Sequence, residues 1–252
     1  MSIIKKYQRF IRFCLVGGSG ALITFGVTWL LTEKFGLWYM ASMSIAVAIA
    51  TVWNYNFNTF WTYRVSNKFT DSNYEWESFY NGNPVQKWWK HSIAQTVWDW
   101  IPPDKSGKLM DFGCGSSPII TKYRNATGID TNIDKLKFMK DKYPLATYRS
   151  GFYDFDFDSI LCIEILEHLD NYKEVLACLS GLLKKGGKII IATPDYKKPL
   201  WHLAEKFTPY KEDHCTKLDK ESLEVLCQSV GLYSIRHKYI AGCDLVEMFE
   251  KV

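Results

Sequence analysis

The sequence lacks the short cysteine and histidine patterns that hold zinc or form redox-active pairs. Its seven cysteines include no C-x-x-C and no short Cys/His cluster. This favours reduced thiols in a cytosolic domain over a disulfide or zinc framework, and no bound metal is expected. Lysine- or arginine-rich tracts are also missing from the body of the chain, so no nucleic-acid partner is expected.

Basic charge is concentrated at the N-terminal end. Residues 1–70 contain seven basic side chains and one acid, a net charge of +6, which leaves −2 for the rest of a chain whose formal net charge is +4. A basic, apolar front on a mildly acidic body indicates contact with a lipid bilayer. A length of 252 residues is enough for one α/β domain and a smaller module.

Charged side chains are absent from two long stretches, residues 13–32 and 35–63, which are separated by Glu33 and Lys34. The first stretch has 20 residues, and a helix of that length covers about 30 Å, the thickness of a bilayer's hydrocarbon core. Small residues recur in both stretches and allow two helices to approach closely. A cleaved signal peptide would be shorter, and a buried soluble pair would show a polar face. We therefore predict a two-helix transmembrane hairpin.

Basic residues flank this hairpin at both ends, whereas the connecting loop holds only Lys34. The positive-inside rule therefore places both termini and the globular body in the cytoplasm. The polar stretch 65–75 predicts a linker, so the expected domains are the hairpin (1–64) and a globular domain (76–252). Apolar residues at helical spacing predict a helix over residues 85–101.

Two segments of the hairpin, R-F-C-L-V-G-G-S-G-A from Arg12 and N-Y-N-F-N-T-F-W-T-Y from Asn54, resemble the first half of a GtrA-type membrane domain. That family has four spans and is associated with polyprenyl-phosphate-linked sugars. Two chains could rebuild a four-span bundle, which makes a homodimer through the hairpin a hypothesis. The asparagines Asn54, Asn56 and Asn58 either lie at the cytoplasmic interface in an aromatic belt or contact a lipid phosphate.

A short apolar strand runs into a glycine turn at D-F-G-C-G, and a helix is predicted to follow. Glycine lets the backbone pass close to a ligand, and a strand–turn–helix places ligand groups near free helix N–H donors. This pattern alone indicates only a nucleotide-like ligand. The residues of the turn are Asp111, Phe112, Gly113, Cys114 and Gly115.

Three further signatures follow the turn in order. Asp130 ends a second strand 19 residues after Asp111, a distance that suits hydrogen bonding to ribose hydroxyls. A third apolar strand over residues 157–164 is followed by L-E-H, and L-L-K-K-G-G-K leads into a strand over 188–192. Strands that alternate with helices predict a parallel sheet with its ligand at the carboxyl ends of the strands.

These four signatures together resemble class I S-adenosylmethionine-dependent methyltransferases over roughly residues 76–252. The resemblance implies an α/β fold, a Rossmann-like sheet with an antiparallel final strand, and S-adenosylmethionine as the cofactor. Pro118 stands where the dinucleotide fingerprint of dehydrogenases needs its third glycine, which favours methyl transfer over hydride transfer. The acid that contacts adenine is either Asp154 or Asp156. The implied cofactor-binding residues are Asp111, Phe112, Gly113, Cys114, Gly115, Asp130, Thr131, Cys162 and Ile163.

Two histidines are the candidate catalytic residues. A hydroxyl acceptor must lose its proton, and histidine promotes this near neutral pH. His168 follows a strand at its carboxyl end, where it either acts in catalysis or packs at a helix start. By resemblance, His214 lies in a segment that covers the substrate, as a general base or a substrate ligand. Weaker pocket candidates are Tyr196, Lys198, Trp201 and Tyr210.

The acceptor stays open among three alternatives. The leading one is O-methylation of a lipid-linked small molecule such as a polyprenyl-phosphate sugar, since the hairpin would hold the active site near the bilayer. The second is methylation of an isoprenoid quinone. The third is a membrane scaffold with a vestigial methyltransferase domain.

Overall fold

The structure is a computed structural model, and the residues that it describes are 3–58, 71–151, 155–207 and 214–252. Backbone contacts divide the chain into two units, Met1–Ser66 and Asn67–Val252. The division falls inside the predicted linker.

The first unit contains two packed helices. Helix α1 spans Ile3–Trp29 and continues into a π-helical turn over Leu30–Lys34, and helix α2 spans Tyr39–Phe57. In α2 the small residues Ser42, Ala46 and Ala50 are buried, as the small-residue pattern predicts for closely packed helices.

The two helices lie close together at Gly20. A Cβ atom added to Gly20 would lie 2.5 Å from the side-chain amide atoms of Asn54, so a larger residue there would require the Asn54 side chain to move. One residue before Asn54, the indole N–H of Trp53 donates a hydrogen bond of 2.9 Å to the hydroxyl of Ser19. The pair is therefore joined by polar contacts as well as by small residues.

Among the described residues, one helical stretch, Phe13–Lys34, is long and apolar enough to cross a membrane. Helix α2 has sufficient length, but Asn54 and Asn56 lower its mean hydropathy because an amide is costly in hydrocarbon. A two-helix hairpin is present, and its second span stays a prediction.

The second unit is built on a seven-stranded sheet of order β3-β2-β1-β4-β5-β7-β6. Strands β1 to β5 pair in parallel, and β7 is antiparallel to both β5 and β6. This confirms the predicted Rossmann-like methyltransferase sheet with an antiparallel final strand. The strands are β1 Leu109–Phe112, β2 Ala126–Ile129, β3 Thr147–Arg149, β4 Phe157–Ile163, β5 Leu183–Pro194, β6 Leu232–Ile240 and β7 Asp244–Lys251.

The helix predicted over residues 85–101 is present as α4. It begins at Pro84, and the side chain of Asn83 caps it by accepting a hydrogen bond from the backbone N–H of Gln86. Helix α3 begins at Tyr74, before the predicted linker ends. The helices of this unit are α3 Tyr74–Tyr80, α4 Pro84–Trp100, α5 Ile133–Lys142, α6 Tyr172–Leu182, α7 Pro199–Phe207 and α8 Lys220–Ser229.

The prediction of a helix directly after the glycine turn is wrong in its extent. A single 3-10 turn, Pro118–Lys122, forms there instead. Ser117 caps it by accepting from the N–H of Ile119. The chain then turns inward at Tyr123, which is fully buried and donates from its hydroxyl to the carbonyl of Ile101 at 2.9 Å. Burial of this ring ends the helical turn before an α-helix can extend.

The core lies on both faces of the sheet, because successive strand residues point to opposite sides. Ile190 packs with helix α4, whereas Ile189 and Ile191 pack with helices α6 and α8. On β7, Phe249 joins the α6 and α8 side and is fully buried.

We expect Phe249→Ala to lower the free energy of unfolding by about 3–5 kcal/mol, because it leaves a cavity in a closed core. Chemical denaturation of the detergent-solubilised chain measures this loss. The control is Phe155→Ala, since the Phe155 ring is 69% exposed and its removal should change stability by less than about 0.5 kcal/mol. Equal losses in the two variants would contradict the packing described here.

Candidate active site

The glycine turn begins at Asp111, near the carboxyl end of β1. The Asp111 carboxyl is buried, and its Oδ2 atom has no hydrogen-bond partner among the described residues. Burial and the nearby charge of Asp130 raise the pKa of Asp111 to about 8. An orphaned acceptor in so dry a place indicates that a ligand group completes it.

The two glycines of the turn have left-handed backbone angles, with φ of 69° at Gly113 and 51° at Gly115. A Cβ atom on Gly113 would also collide with the side chain of Ile165. Glycine is therefore required at Gly113 on conformational and steric grounds.

Asp130 lies directly after β2 and braces the turn. Its carboxylate accepts from the N–H of Gly115 at 2.8 Å and from the N–H of Asn132 at 2.7 Å. Each oxygen keeps a further lone pair for a ligand hydroxyl. The next residue, Thr131, is exposed.

The remaining predicted cofactor residues lie on neighbouring strands in different environments. Phe112 and Ile163 are half-buried and pack against opposite faces of the sheet. Cys114 and Cys162 are buried, and burial raises the pKa of both thiols well above the ordinary value. Cys162 packs in the core, so only its backbone is available to a ligand.

Glu75 of α3 contacts the glycine turn, and the sequence interpretation missed this residue. Its carboxylate accepts from the backbone N–H of Ser116 at 3.1 Å, from the Ser116 hydroxyl at 2.5 Å and from the ammonium of Lys135 at 2.5 Å. Burial works against the carboxylate, but Lys135 and Ser116 hold its pKa below the ordinary value. The contact joins α3 to the turn, and no local pattern in a predicted linker could reveal it.

The two candidate catalytic histidines come together. The rings of His168 and His214 have centroids 4.8 Å apart in an edge-on arrangement. His214 Nδ1 lies 2.6 Å from the hydroxyl of Tyr196, and the ring of Trp201 stacks on His214 with centroids 5.8 Å apart. Four predicted site residues thus form one cluster. Tyr210, like Asp154, lies outside the described residues.

Glu167 lies beside these two histidines. It is 2% exposed, and its carboxylate accepts from the Thr193 hydroxyl at 3.2 Å. Burial and the neighbouring Glu164 raise its pKa well above the ordinary value. Glu167, His168 and His214 each direct one possible ligand atom into a region where these atoms lie within 4.8 Å of one another.

Two more acids, which the sequence interpretation did not predict as site residues, lie at the edge of the sheet formed by the carboxyl ends of the parallel strands. Glu164 follows β4 with φ of 56° and pairs with the ammonium of Lys90, and a left-handed glutamate marks a locally strained site. Asp244 is buried and accepts from the indole N–H of Trp89 at 2.7 Å. Burial and Glu164 raise the pKa of Asp244 to about 8. Lys90 and Trp89 lie on α4, the helix predicted over residues 85–101.

A model of the methyltransferase domain family matches residues 85–237, and a model of the GtrA/DPMS transmembrane domain matches residues 12–83. The first match covers more than half of the chain. The chain belongs to the methyltransferase domain family. S-adenosylmethionine is the cofactor that this methyltransferase domain implies, and the second match with the apolar N-terminal helix marks a membrane-associated protein.

Two similar sequences are ubiquinone biosynthesis O-methyltransferases. The one from Pelagibacter ubique is 30% identical over 146 residues, 52% of this chain and 61% of that protein. The one from Dechloromonas aromatica is 28% identical over 142 residues, 44% of this chain and 60% of that protein. The methyltransferase spans about three fifths of the length of these curated relatives.

Among solved structures, magnesium protoporphyrin IX methyltransferase from Synechocystis PCC 6803 with bound SAH has a TM-score of 0.58 and 15% identity. The match covers 73% of this chain and 96% of that chain. At this identity the likeness shows the fold alone.

The residues at the turn fit S-adenosylmethionine. The orphaned oxygen of Asp111 suits a positively charged group, and Asp130 can accept from ribose hydroxyls. The cofactor prediction is confirmed at the level of the family, and the assignment of individual contacts stays a prediction.

We expect Asp111→Asn to stabilise the cofactor-free methyltransferase at high pH. In the folded state the pKa of Asp111 is raised from 3.8 to about 8, so folding favours the protonated acid. The resulting contribution to the free energy of unfolding is fully present below about pH 4 and is lost as the pH rises through 8. The Asp111→Asn variant carries no such penalty, so its advantage over wild type should grow from pH 4 to 8.

Chemical denaturation at a series of pH values measures this advantage, which should reach the order of a few kcal/mol. The exposed Asp134, changed to Asn, is the matched control and should show no growing advantage. A pH-independent difference for Asp111→Asn would show that the carboxyl is not shifted.

Proposed function

We propose that the protein is a membrane-anchored S-adenosylmethionine-dependent methyltransferase that methylates a hydroxyl oxygen on an isoprenoid lipid. The observation that carries the proposal is the joining of His168, His214 and Tyr196 in one polar cluster, at the sheet edge that also holds the glycine turn. A membrane domain on the same chain favours a lipid acceptor.

The chemistry requires alignment and the removal of one proton. S-adenosylmethionine supplies a methyl group that is bonded to a positively charged sulfur. The acceptor oxygen would attack the methyl carbon in line, with the sulfur as the leaving group. The turn at Gly113 and Gly115 would hold the donor, and His168 and His214 would orient the acceptor hydroxyl and promote loss of its proton. Trp201 stacks on His214 and restricts its ring to one orientation.

Two acceptor classes remain, and each has its own support. The relatives named ubiquinone biosynthesis O-methyltransferases favour the phenolic hydroxyl of an isoprenoid quinone precursor. The GtrA/DPMS domain favours a sugar hydroxyl on a polyprenyl phosphate. The quinone class is the better supported, since these relatives are named as O-methyltransferases, whereas the membrane-domain match carries no methyl-transfer chemistry.

Isotope-labelled S-adenosylmethionine, incubated with the full chain and bacterial lipid extracts, should label a lipid-soluble product that mass spectrometry assigns to one of these classes. Asp111→Asn should lose cofactor binding and label together, because it removes the negative charge that would pair with a positively charged group of the cofactor, whereas Asp134→Asn should retain both. Cofactor binding without any labelled lipid would reject both acceptor classes. Absence of cofactor binding by the wild-type chain would leave the scaffold alternative.

We further infer that both α1 and α2 cross the bilayer, with both termini and the methyltransferase domain in the cytoplasm. The close packing of α2 on α1 at Gly20 and the basic residues at both ends of the hairpin support this topology. The homodimer through the hairpin stays a prediction.

A membrane-impermeant maleimide applied to intact cells tests the topology at two exposed positions. Cysteine in a Phe35→Cys variant, in the connecting loop, should react from outside, whereas the native Cys178 on α6 should react only after permeabilisation. The two positions lie on opposite sides of the membrane only if the chain crosses it again after Phe35. Reaction of both from the same side would exclude the second span.

A further inference from the structure

We propose that Glu75 is a positioning residue of the cofactor site, which holds the glycine turn in the form that binds S-adenosylmethionine. The inference rests on the cofactor dependence of the proposed function and is independent of the acceptor. Glu75 lies on helix α3, outside the residues that match the methyltransferase domain (85–237) and inside those that match the GtrA/DPMS transmembrane domain (12–83). A segment matched by the membrane-domain model thus completes the methyltransferase site.

Helix α3 and the turn are joined by reciprocal hydrogen bonds between Glu75 and Ser116. The backbone N–H of Glu75 donates to the Ser116 hydroxyl oxygen at 3.2 Å. In return, the backbone N–H and the hydroxyl of Ser116 donate to the Glu75 carboxylate at 3.1 and 2.5 Å. Ser116 is fully buried, so these two donors rely on Glu75 as their acceptor.

The turn is thereby held by acids on two successive backbone amides. Asp130 accepts from the N–H of Gly115 at 2.8 Å, and Glu75 accepts from the next N–H, that of Ser116. A Cβ atom on Gly115 would lie between 3.0 and 3.2 Å from the carboxyl atoms of Glu75, so glycine lets α3 approach the backbone of the turn closely. The shape of the turn therefore depends on α3 as well as on the sheet.

Lys135 of helix α5 keeps the Glu75 carboxylate charged. Its ammonium lies 2.5 Å from Glu75 Oε1, and its side chain is 9% exposed. Burial raises the pKa of Glu75, but Lys135 and Ser116 outweigh this effect and hold the pKa below the ordinary value. A charged acceptor forms a stronger hydrogen bond with a backbone N–H than a neutral amide does. Glu75→Gln should therefore loosen the turn although it hardly changes the shape of the side chain.

Helix α3 has other contacts that would keep it docked without this charge. Phe79 is 5% exposed, and its ring lies against the ring of His91 with centroids 3.9 Å apart. The ring of Trp76 packs edge-on against Phe138 of α5 with centroids 5.8 Å apart. Loss of the Glu75 charge should therefore affect the turn without releasing the helix.

S-adenosylhomocysteine is the probe, because calorimetric titration of the full chain in detergent measures its binding without any methyl-transfer assay. Glu75→Gln should weaken the affinity about 10- to 100-fold, since a buried hydrogen bond to a charged group is lost. In the cofactor-free chain, hydrogen exchange of the peptide that contains Gly115 and Ser116 should become faster. Glu77→Gln, on the exposed surface of the same helix, is the matched control and should bind as wild type does.

Lys135→Met provides a second test that leaves Glu75 in place. It removes the cation that pairs with the carboxylate and should weaken the affinity to a similar extent. The double variant should bind no more weakly than the weaker of the two single variants, because both residues act through one network. Additive losses would mean that Glu75 and Lys135 act separately, which would overturn the proposal.

A role limited to holding α3 would lower the free energy of unfolding of Glu75→Gln and leave its dissociation constant for S-adenosylhomocysteine unchanged. That result would reject the role of Glu75 alone, provided that the wild-type chain binds. An equal loss of affinity in Glu77→Gln would also reject it, because a general effect of charge would then suffice. Absence of binding by the wild-type chain would instead reject the cofactor dependence on which both this inference and the proposed function rest.

Discussion

The parallel pairing of β1 with β2 on one side and β4 on the other is the constraint on which the active site depends. In this register Phe112 lies beside both Ile129 and Cys162, so three strands end at one level. The segments that follow them, which begin at Gly113, Asp130 and Glu164, are therefore brought to the same edge of the sheet. Antiparallel strands would send alternate ends to opposite edges and separate these groups.

The same arrangement explains why the edge is rich in buried acids. Asp111, Glu167 and Asp244 are each less than a tenth exposed, and burial raises the pKa of each. Buried acids without partners cost stability, and a positively charged ligand would offset that cost. The cofactor that the family implies carries a positively charged sulfur, which suits an edge rich in buried acids.

The local sequence pattern was sufficient to predict elements whose ends carry a proline or a capping side chain. Helix α4 begins at a proline with an asparagine cap and ends before Pro102, close to its predicted limits. The pattern was insufficient where a tertiary contact decided the outcome. The turn after Gly115 stops at Tyr123 because that ring is buried and its hydroxyl donates to the carbonyl of Ile101.

The sequence by itself determined the family, the sheet and the glycine turn, because each depends on residues that are near neighbours in the chain. It also identified His168 and His214 singly, as polar residues after strands or beside a final helix. Only the tertiary structure decided that these two histidines meet Glu167, and that Glu75 and Lys90 reach the site from helices that precede the sheet. The contacts of Glu75 and Lys90 join residues that are 41 to 74 positions apart in sequence. Their formation depends on how helices pack across the sheet, which side-chain packing decides and no local periodicity records.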